Sequence, residues 1–435
     1  MTELASPRTD FDDRIATRVA RVGIVGLGYA GLPLAMSFAE AGFDVTGIDL
    51  NRERVDAVRE QRSYLVDVPE SRYHGLEGTL TASADYSAVR EIDALTICVP
   101  TPLSKTRTPD VQYVVSAAES VAANLRPGQL IVLQSTTYPG TTEEIVQPIL
   151  ERTGGTVGED FFLGYAPERV DPGNGVYTIR NTPKLVAGVT EECARRTELL
   201  YRQIVDVVIP VSRPMVAETA KLHENTFRAV NIALANELAL MCDRLGISPW
   251  EVIEAASSKP FGFLPHFPGP GLGGDCIPVV PHFLAWRLRE YGYAAQLIEA
   301  AHEVNARMPN HVVQKVSDAL NDHGLPIKGS RLLLLGVAYK GNVHDTRESP
   351  SLEVMNQLLS RGGAVRYCDP WVPFVDLDGV RHETVPWSQE EVRAADCVVL
   401  LTPHREFSDQ PFWEEARLVV DTRNLVPPGP NVHSI

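Results

Sequence analysis

Residues 22–31 read V-G-I-V-G-L-G-Y-A-G, a short apolar run that passes directly into a glycine-rich turn. A helical pattern follows from Leu32 to Ala41, and a second apolar strand covers residues 45–48. The spacing G-x-G-x-x-G is typical of dinucleotide binding when it lies between a strand and a helix of a β-α-β unit. The stretch therefore predicts a Rossmann-like domain near the start of the chain.

Each residue of this turn has a predicted task in holding a dinucleotide. Gly26 makes the tight turn, Gly28 lets the backbone approach a pyrophosphate, and Gly31 lets the helix pack closely on the strand. The backbone N–H groups around Tyr29 and Ala30, at the start of the helix, are offered to the phosphates. We therefore predict that these five residues bind the cofactor.

Asp49 closes the second strand, at the distance expected for a carboxylate that hydrogen-bonds a ribose diol. Such a carboxylate repels a 2′-phosphate, so Asp49 favours NAD over NADP as the cofactor. Arg54 is a further predicted cofactor contact. Because Arg52 and Arg54 follow so closely, NADP stays open as the alternative at this point.

Further along the chain, three apolar runs predict strands that are buried on both faces: residues 94–99, 130–133 and 162–165. In an open parallel sheet, ligands collect at the carboxyl ends of the strands. Thr101, Ser135 and Thr136 follow the first two runs and are candidate hydroxyls facing the cofactor or the substrate, and Glu168 lies at the end of the third run. The alternatives are a helix-capping role for each threonine and a solvated loop position for the glutamate.

The longest helical pattern covers residues 215–245, which carry an apolar stripe and are followed by Gly246. Glu218, Lys221 and Asn225 lie at positions i, i+3 and i+7, so they share one face of this helix. A polar face of this kind belongs either to a functional site or to solvent. The pattern predicts a helical connector between two α/β segments, and such connectors often carry a dimer contact.

Residues 259–281 contain too many prolines and glycines for a helix or a strand. Cys276 lies in this loop, shortly after Gly273 and Gly274. In a chain with a dinucleotide-binding signature, a cysteine on a glycine loop suggests a covalent nucleophile. The alternative is a buried thiol that packs as a small apolar group in a loop between domains.

The pattern from Arg331 onward predicts a second nucleotide-binding-like sheet, which lacks the G-x-G-x-x-G signature. Its first loop carries Lys340 and Arg347, with Asp345 between them. Two cations at the carboxyl end of a strand suit a diphosphate, with arginine as a bidentate donor and lysine as a point charge. The alternative is an ordinary ion pair on the surface.

Together these patterns predict an α/β fold with two Rossmann-like, doubly wound domains joined by a long central helical connector. The predicted segments are a disordered leader (1–19), a first Rossmann domain for NAD (20–210), a central helical domain with the cysteine loop (211–318) and a second Rossmann-like domain (319–435).

The composition of the 435 residues narrows the possible partners and compartments. The formal net charge of −16 argues against nucleic acid and anionic membranes as partners. The N-terminus lacks the apolar core of a signal peptide and no apolar run is long enough to span a bilayer, so a cytoplasmic protein is expected. The six cysteines are scattered without a C-x-x-C pair, which predicts reduced thiols and no metal site.

In their order, the motifs resemble the UDP-glucose/GDP-mannose dehydrogenase family from Val22 to about Leu425. They are G-L-G-Y-A-G, V-P-T-P, S-T-T-Y-P-G-T-T, Y-A-P-E-R, A-E-T-A-K-L-H-E-N, P-G-P-G-L-G-G-D-C-I-P, A-Y-K-G-N-V-H-D-T-R-E-S-P and D-T-R-N. The chain looks most similar to members that act on UDP-N-acetylglucosamine or its relatives. The resemblance implies that the C6 alcohol of a nucleotide sugar is oxidised to a carboxylate with two NAD molecules in succession. It also implies a homodimer or a higher homo-oligomer.

The resemblance implies a catalytic role for each of five matching residues. Cys276 attacks the C6 aldehyde, and the thiohemiacetal then becomes a thioester that water cleaves. Lys221 stabilises oxyanion charge or moves protons at C6, and Asn225 orients the same oxygen. Glu168 is tied to the hydrolytic water, and Thr136 lies beside that water and the cofactor.

The remaining contacts implied by the resemblance belong to the nucleotide and the sugar. Lys340 and Arg347 match the loop where the third domain meets nucleotide and cofactor, and Arg347 is predicted to contact the cofactor. The predicted substrate contacts are Glu168, Arg169, Lys221, Asn225, Phe267, Gly273 and Lys340.

Two positions around Cys276 depart from the family pattern. Where the family has an aspartate, four residues after the cysteine, this chain has Val280, and Asp275 stands where the subgroup usually has histidine. Valine accepts neither a proton nor a hydrogen bond. Three outcomes therefore stay open: full turnover with Asp275 or Glu168 covering the loss, a partial reaction or an altered sugar, and ligand binding without turnover. Outside the family, the alternative is a β-hydroxyacid dehydrogenase without a covalent step.

Overall fold

A computed structural model describes residues 7–65, 68–104, 107–171, 174, 176–274 and 276–435 of the chain. The contacts between residues divide the chain into two compact units. The first unit is Met1–Glu224 with His282–Gly292, and the second unit is Asn225–Pro281 with Tyr293–Ile435.

The first unit is built on a sheet of eight strands. The strands are β1 Arg21–Val25, β2 Asp44–Ile48, β3 Leu80–Ser83, β4 Ala94–Ile97, β5 Leu130–Leu133, β6 Phe162–Tyr165, β7 Lys184–Gly188 and β8 Val208–Pro210. The α-helices are α1 Pro7–Ala16, α2 Gly31–Glu40, α3 Arg52–Arg59, α4 Gln112–Ala122, α5 Gln147–Glu151 and α6 Glu191–Tyr201. Shorter turns of 3-10 helix cover Glu70–Tyr73 and Tyr86–Glu91, and a π-helical turn covers Thr142–Val146.

The strand order in this sheet is β3-β2-β1-β4-β5-β6-β7-β8, and β6 and β7 are the antiparallel neighbours. Strands β4, β5 and β6 are buried along their whole length, as their continuous apolar runs predict. The chain order reverses between β1 and β4, and such a switch point opens a crevice at the carboxyl ends of the strands. The predicted Rossmann topology is therefore confirmed.

The N-terminal segment differs from the prediction of a disordered leader over residues 1–19. Residues Pro7–Ala16 form α1, and the side chains of Phe11 and Ile15 are buried in the core of the first unit. The two apolar residues lie four positions apart, so one face of a single helix buries both. Asp12 also accepts hydrogen bonds from Arg195 at 2.7 and 2.9 Å. The prediction was wrong for Pro7–Ala16, because an apolar stripe of two residues gives only a weak helical pattern, and residues 1–6 of the predicted leader lie outside the described residues.

The second unit contains a five-stranded sheet and a hairpin. The strands are β9 Arg331–Leu335, β10 Ala364–Cys368, β11 Phe374–Leu377, β12 Val380–Glu383, β13 Cys397–Leu400, β14 Val419–Asp421 and β15 Val432–Ser434. The helices that begin or end in this unit are α7 Pro214–Leu245, α8 Pro249–Ser257, α9 Val280–Arg289, α10 Gln296–Asp322, α11 Pro350–Ser360, α12 Gln389–Ala394 and α13 Arg405–Asp409, with a 3-10 turn at Phe412–Glu415. The sheet order β10-β9-β13-β14-β15 is parallel throughout, and β11 pairs with β12 as the antiparallel hairpin.

The second sheet repeats the turn geometry of the first. Gly336 follows β9 with φ at +84° and donates its N–H to the carbonyl of Cys368 at 2.8 Å. Gly26 follows β1 with φ at +89° and donates to the carbonyl of Ile48 at 2.7 Å. Both angles lie in the left-handed region that favours glycine. The second nucleotide-binding-like sheet predicted from the sequence is thus confirmed.

The helical connector was predicted over residues 215–245 and is α7, a helix of 32 residues. The next helix, α8, is capped by Ser248, whose side chain accepts a hydrogen bond from the N–H of Glu251. The domain bounds 20–210, 211–318 and 319–435 stay a prediction. Within the described ranges, no helix has both the length and the apolar character needed to cross a bilayer.

Candidate active site

The glycine turn after β1 has the steric properties of a dinucleotide cradle. A Cβ atom at Gly26 would lie 2.6 Å from the carbonyl oxygen of Cys98, and one at Gly31 would lie 1.8 Å from the oxygen of Gly26. At Gly28, by contrast, a Cβ would meet no atom within 4 Å, so this side of the turn is open to an approaching group. Ala30 precedes α2 and provides no side-chain cap. The open turn and this helix start fit a pyrophosphate.

Asp49 is almost buried at the end of β2 and organises the neighbouring turn. Its Oδ2 accepts hydrogen bonds from the N–H of Leu27 at 2.8 Å and from Nη1 of Arg54 at 3.3 Å. Arg54 is therefore paired with the carboxylate that would meet the ribose, so a 2′-phosphate would have to compete with Asp49 for this guanidinium. Tyr29, in the same turn, is 38% exposed. This donor set fits NAD.

In the second sheet, Asp369 has the position that Asp49 has in the first, but its hydrogen bonds are made with groups of the protein itself. Asp369 follows β10 and its Oδ2 accepts the N–H groups of Val337 and Ala338 at 2.8 and 3.0 Å. The same oxygen lies 3.1 Å from Nε2 of His404, whose Nδ1 accepts the N–H of Asn342. The Nε2–H group of His404 therefore donates a hydrogen bond to Asp369. The carboxylate is fully occupied within the fold, which agrees with the missing glycine signature of this sheet.

The loops after β4 and β5 are joined to each other. Thr101 donates its hydroxyl to the carbonyl of Thr136 at 2.6 Å, and Ser135 donates its hydroxyl to the carbonyl of Val99 at 2.7 Å. The Thr101 hydroxyl therefore crosslinks the two loops and does not cap a helix. These bonds hold Thr136 at the carboxyl end of β5, beside the switch point of the sheet.

Glu168 lies in the loop after β6 and makes four hydrogen bonds. Its Oε1 accepts the N–H groups of Arg169 and Val170, both at 2.8 Å. Its Oε2 accepts Nε2 of Gln134 at 2.9 Å and Nζ of Lys184 at 3.2 Å. Burial opposes ionisation of this carboxyl, but the Lys184 ammonium and the N–H donors outweigh it and hold its pKa below the usual range. Glu168 is therefore not a solvated loop carboxylate.

The polar face of α7 is buried and not solvated. Lys221 is 9% exposed and Asn225, one turn later, is 7% exposed. Among the described residues, Nδ2 of Asn225 finds no hydrogen-bond partner. A buried amide donor of this kind is a group that a bound ligand would satisfy. Glu224, on the same helix, pairs with Arg169 at 2.7 Å.

In the second unit, the cysteine loop packs on the loop that follows β9. The N–H of Gly274 donates to the carbonyl of Arg347 at 2.9 Å, and a Cβ at Gly273 would lie 2.6 Å from that of Tyr339. Cys276 is exposed, whereas the other five cysteines are buried. Its exposure does not fit the alternative of a buried structural thiol. The fold thus brings the cysteine loop to the loop that carries Lys340.

The predicted nucleotide contacts of the second unit differ in their surroundings. Arg347 is 47% exposed and its Nη2 lies 2.6 Å from Oδ2 of Asp345, so an anion would have to share this guanidinium. Lys340 is half-buried in the same loop. Phe267 is 53% exposed, and its ring stacks on Trp250 with centroids 5.6 Å apart. An exposed aromatic face of this kind suits stacking with a flat or apolar ligand surface.

The structure gives Val280 a definite place. It is the first residue of α9, it is 4% exposed, and its N–H donates to the carbonyl of Cys276 at 3.0 Å. The position of the family aspartate is therefore occupied by a buried valine at a helix N-terminus. Asp275 lies outside the described residues.

The two units divide the predicted site residues between them. The first unit holds the glycine turn, Thr136, Glu168 and Lys221, and the second holds Asn225 and Cys276. The buried Lys184 was not predicted, since a lone charged residue is ordinarily solvated, and the buried Glu218 was placed on the polar face of α7 but not among the site residues. The one signal for Lys184 is its position at the head of the apolar run 184–188.

Comparison with known proteins identifies related families and structures. Three family models match in order: the UDP-glucose/GDP-mannose dehydrogenase family NAD binding domain over residues 20–205, its central domain over 215–307 and its UDP binding domain over 333–428. The UDP-N-acetyl-D-glucosamine 6-dehydrogenase of Salmonella typhi is 33% identical over 94% of this chain and 96% of its own length. The UDP-N-acetyl-D-mannosamine dehydrogenase of Pyrococcus horikoshii is 34% identical over 94% and 97%.

A solved structure supports the same relationship. The UDP-D-ManNAc dehydrogenase from Pyrococcus horikoshii superimposes with a TM-score of 0.87 at 33% identity, covering 95% of this chain and 99% of that chain. The first family model is an NAD binding domain, and the open turn at Gly28 and the carboxylate of Asp49 fit that cofactor. The protein is thus an NAD-dependent oxidoreductase, and the chain belongs to the UDP-glucose/GDP-mannose dehydrogenase family.

Proposed function

We propose that the protein oxidises the C6 hydroxyl of a nucleotide sugar to a carboxylate, in two successive NAD-dependent steps. The observation that carries this proposal is the exposed Cys276 on a loop that packs against the loop of Lys340. A dehydrogenase that stopped at an aldehyde would have no need of a nucleophile. The relatives act on UDP-N-acetyl-D-glucosamine and UDP-N-acetyl-D-mannosamine, which supports a UDP-N-acetylhexosamine as the substrate class.

The thiolate of Cys276 accounts for the second oxidation. NAD, when bound, accepts one hydride in each of the two steps. After the first step, the Cys276 sulfur adds to the carbonyl carbon of the C6 aldehyde and forms a thiohemiacetal. Loss of the hydride from C6 gives a thioester, and water then cleaves the C–S bond to release the carboxylate and the thiol. The four electrons leave the sugar as two hydrides.

Lys221 and Asn225 provide the donors for the oxygen at C6. The buried Lys221 ammonium balances negative charge as it develops on that oxygen, and the Nδ2 group of Asn225 donates a hydrogen bond to it. Their spacing of one helical turn supports a shared target. The unsatisfied Nδ2 group supports this role because a buried donor without a partner costs free energy until a ligand binds.

Glu168 and Thr136 are assigned to the hydrolytic water. Glu168 is ionised under this proposal, which its lowered pKa and its ion pair with Lys184 support. Lys340, Arg347, Arg169, Gly273 and Phe267 are assigned to the nucleotide and the sugar.

Val280 supports a second candidate function. An aspartate is absent at the position that follows the nucleophile in the family pattern, and valine offers no substitute acceptor. The protein would then form the thioester and hydrolyse it slowly, or bind NAD and the nucleotide sugar without turnover. Membership of the family argues against the β-hydroxyacid dehydrogenase alternative, as does the exposed Cys276.

One assay distinguishes these functions. The protein is mixed with NAD and a panel of UDP- and GDP-sugars, and NADH is followed by absorbance. Two NADH per sugar with continuous turnover is the result expected for full oxidation. A burst of one or two NADH per subunit, with a substrate-sized mass adduct on Cys276, indicates the stalled thioester. No NADH, with NAD and UDP-sugar still raising the melting temperature, indicates the binding function.

We also propose that a second copy of the chain covers an exposed apolar stripe on α7. Phe227, Leu234, Met241 and Leu245 are between 45% and 70% exposed and recur at helical spacing. A homodimer would remove this stripe from water. Leu234→Glu should yield monomers in analytical ultracentrifugation, and an unchanged sedimentation coefficient would contradict the assignment. A cytoplasmic location also remains part of the proposal.

A further inference from the structure

Strand β7 begins with a buried lysine, Lys184. The Lys184 side chain is 5% exposed, and its Nζ lies 3.2 Å from Oε2 of Glu168. The ammonium also lies 5.3 Å from the centre of the Tyr201 ring. A buried lysine without a partner is costly, so this pairing is what allows a charged group at the head of an apolar strand.

The side-chain amide of Gln134 lies between Tyr201 and Glu168, and its hydrogen bonds determine its orientation. Tyr201 donates its hydroxyl to Oε1 of Gln134 at 2.8 Å. The NH2 group of Gln134 must therefore be the end that faces Glu168, to which it donates at 2.9 Å. With the two backbone N–H groups on Oε1, Glu168 has four donors for about four acceptor positions.

Three other titratable groups lie near the Glu168 carboxylate: the thiol of Cys98, the phenol of Tyr201 and the guanidinium of Arg169. Burial raises the pKa of the Cys98 thiol and of the Tyr201 phenol, and the charge of Glu168 adds to both effects. Both groups therefore stay neutral at physiological pH. The guanidinium of Arg169 is paired with Glu224 at 2.7 Å. Lys184 is thus the cation in direct contact with Glu168.

We propose that Lys184 is a positioning residue, which with Gln134 holds the Glu168 carboxylate as a permanent anion in one orientation. The inference rests on the proposed function, in which Glu168 is tied to the hydrolytic water. Because its acceptor positions are filled, the carboxylate acts on nearby water through its fixed negative charge and does not take up a proton in the working pH range. Lys184 acts through Glu168 and has no contact with the reacting atoms.

The pH dependence of NADH formation tests this role. In Lys184→Met the carboxylate loses its cation, so the acidic limb of kcat should move up by about 1 to 3 pH units. Lys184→Arg keeps the charge and should restore most of the shift, whereas the exposed control Lys328→Met should match the parent protein. Below the pH of the new limb, thioester hydrolysis becomes the slow step, so a burst of NADH should precede a slower steady state. A folded Lys184→Met protein with an unmoved limb would overturn the proposal.

Thermal unfolding tests the pair independently of any activity. Removing one partner of a buried pair leaves an unpaired charge, so Lys184→Met should lower the melting temperature more at pH 8 than at pH 5, where Glu168 can take a proton. Adding Glu168→Gln should recover part of that loss. An equal loss at both pH values would overturn the assignment. Because this measurement needs no substrate, it distinguishes a wrong role for Lys184 from a wrong proposed function.

A milder variant covers the case in which Lys184→Met does not fold. Gln134→Leu removes one neutral donor and leaves the ion pair in place. It should move the acidic limb upward by less than the loss of the cation, with KM little changed. A limb that stays at the parent position in Gln134→Leu would contradict the inference.

Discussion

The Glu218 carboxylate accepts two hydrogen bonds from Thr142, one from the backbone N–H at 2.9 Å and one from the hydroxyl at 2.6 Å. Its second oxygen accepts the N–H of Gly140 at 2.6 Å. Glu218 is fully buried on α7, one turn before Lys221. It therefore ties the loop after β5, which carries Thr136, to the helix that carries the proposed catalytic lysine.

This carboxyl should give the protein a measurable pH dependence of stability. Burial raises the pKa of Glu218 from 4.5 to about 7, although the three donors oppose the shift. The folded protein holds this proton more tightly than the unfolded chain does. The contribution of Glu218 to the free energy of unfolding therefore falls as pH rises from about 4.5 through 7. The full loss is about 3 kcal/mol. Urea unfolding at pH 5 and pH 8 measures it.

Glu218→Gln provides the control for that prediction. The amide cannot ionise, so the free energy of unfolding of the variant, relative to the parent protein, should improve between pH 5 and pH 8. Any clash between its NH2 group and the N–H donors is the same at both pH values and cancels in the comparison. An equal difference at the two pH values would show that Glu218 does not titrate in this range.

Alkylation tests the environment of Cys276. Because the other five cysteines are buried, native protein treated with a small excess of iodoacetamide should acquire one adduct, at Cys276. Peptide mass spectrometry locates the adduct. Cys276→Ser should take up no label and should lose more than about 100-fold in steady-state NADH formation, since the serine hydroxyl is a poor nucleophile. Labelling spread over several cysteines would contradict the exposure on which the proposed role depends.

Substitution of Val280 tests the altered nucleophile loop. Val280→Asp places a carboxylate in the first turn of α9, where the helix dipole favours negative charge. We expect NADH turnover about tenfold or more faster than in the parent protein, because the new carboxylate supplies the acid–base group that the family pattern has at this position. Asparagine has nearly the same shape as aspartate but carries no charge, so Val280→Asn is the matched control. Equal rates in the two variants would show that charge at this position does not matter.

Two glycines of the cofactor turn should respond differently to the same change. Gly31→Ala puts a methyl group 1.8 Å from the carbonyl oxygen of Gly26 and should destabilise the apo protein. Gly28→Ala meets no atom within 4 Å and should leave the apo melting temperature nearly unchanged. Its methyl group would instead obstruct the pyrophosphate, so the rise in melting temperature with NAD should shrink markedly. A full NAD response in Gly28→Ala would argue against this binding mode.

The position of several elements follows from local rules alone. Glycine is required after β1 because the chain turns there with φ at +89° and the helix lies against the turn. The apolar runs of β4 and β5 specify strands covered on both faces, and the 3.6-residue period specifies α7. These signals lie within a few residues of each other, so the sequence is sufficient to predict two Rossmann-like sheets and a helical connector.

Helix α1 shows where local rules were insufficient. Phe11 and Ile15 are two apolar residues in a polar segment, and their burial depends on packing against the core of the first unit. Arg347 adds an example of the same kind, since the sequence places Asp345 nearby but only the structure shows that the two side chains form an ion pair. In both cases the surroundings, and not the residue type, determine what the side chain does.

The sequence by itself determined the G-x-G-x-x-G turn, the sheets and the loop of Cys276, because backbone sterics and apolar periodicity act over short distances along the chain. Only the tertiary structure decided which charges are buried and with which partners. Glu168 meets Lys184 across 16 positions, and Glu218 meets Thr142 across 76. The free energy of a buried charge depends on the local dielectric and on the hydrogen-bond donors and opposite charges around it. Folding brings those groups from distant parts of the chain.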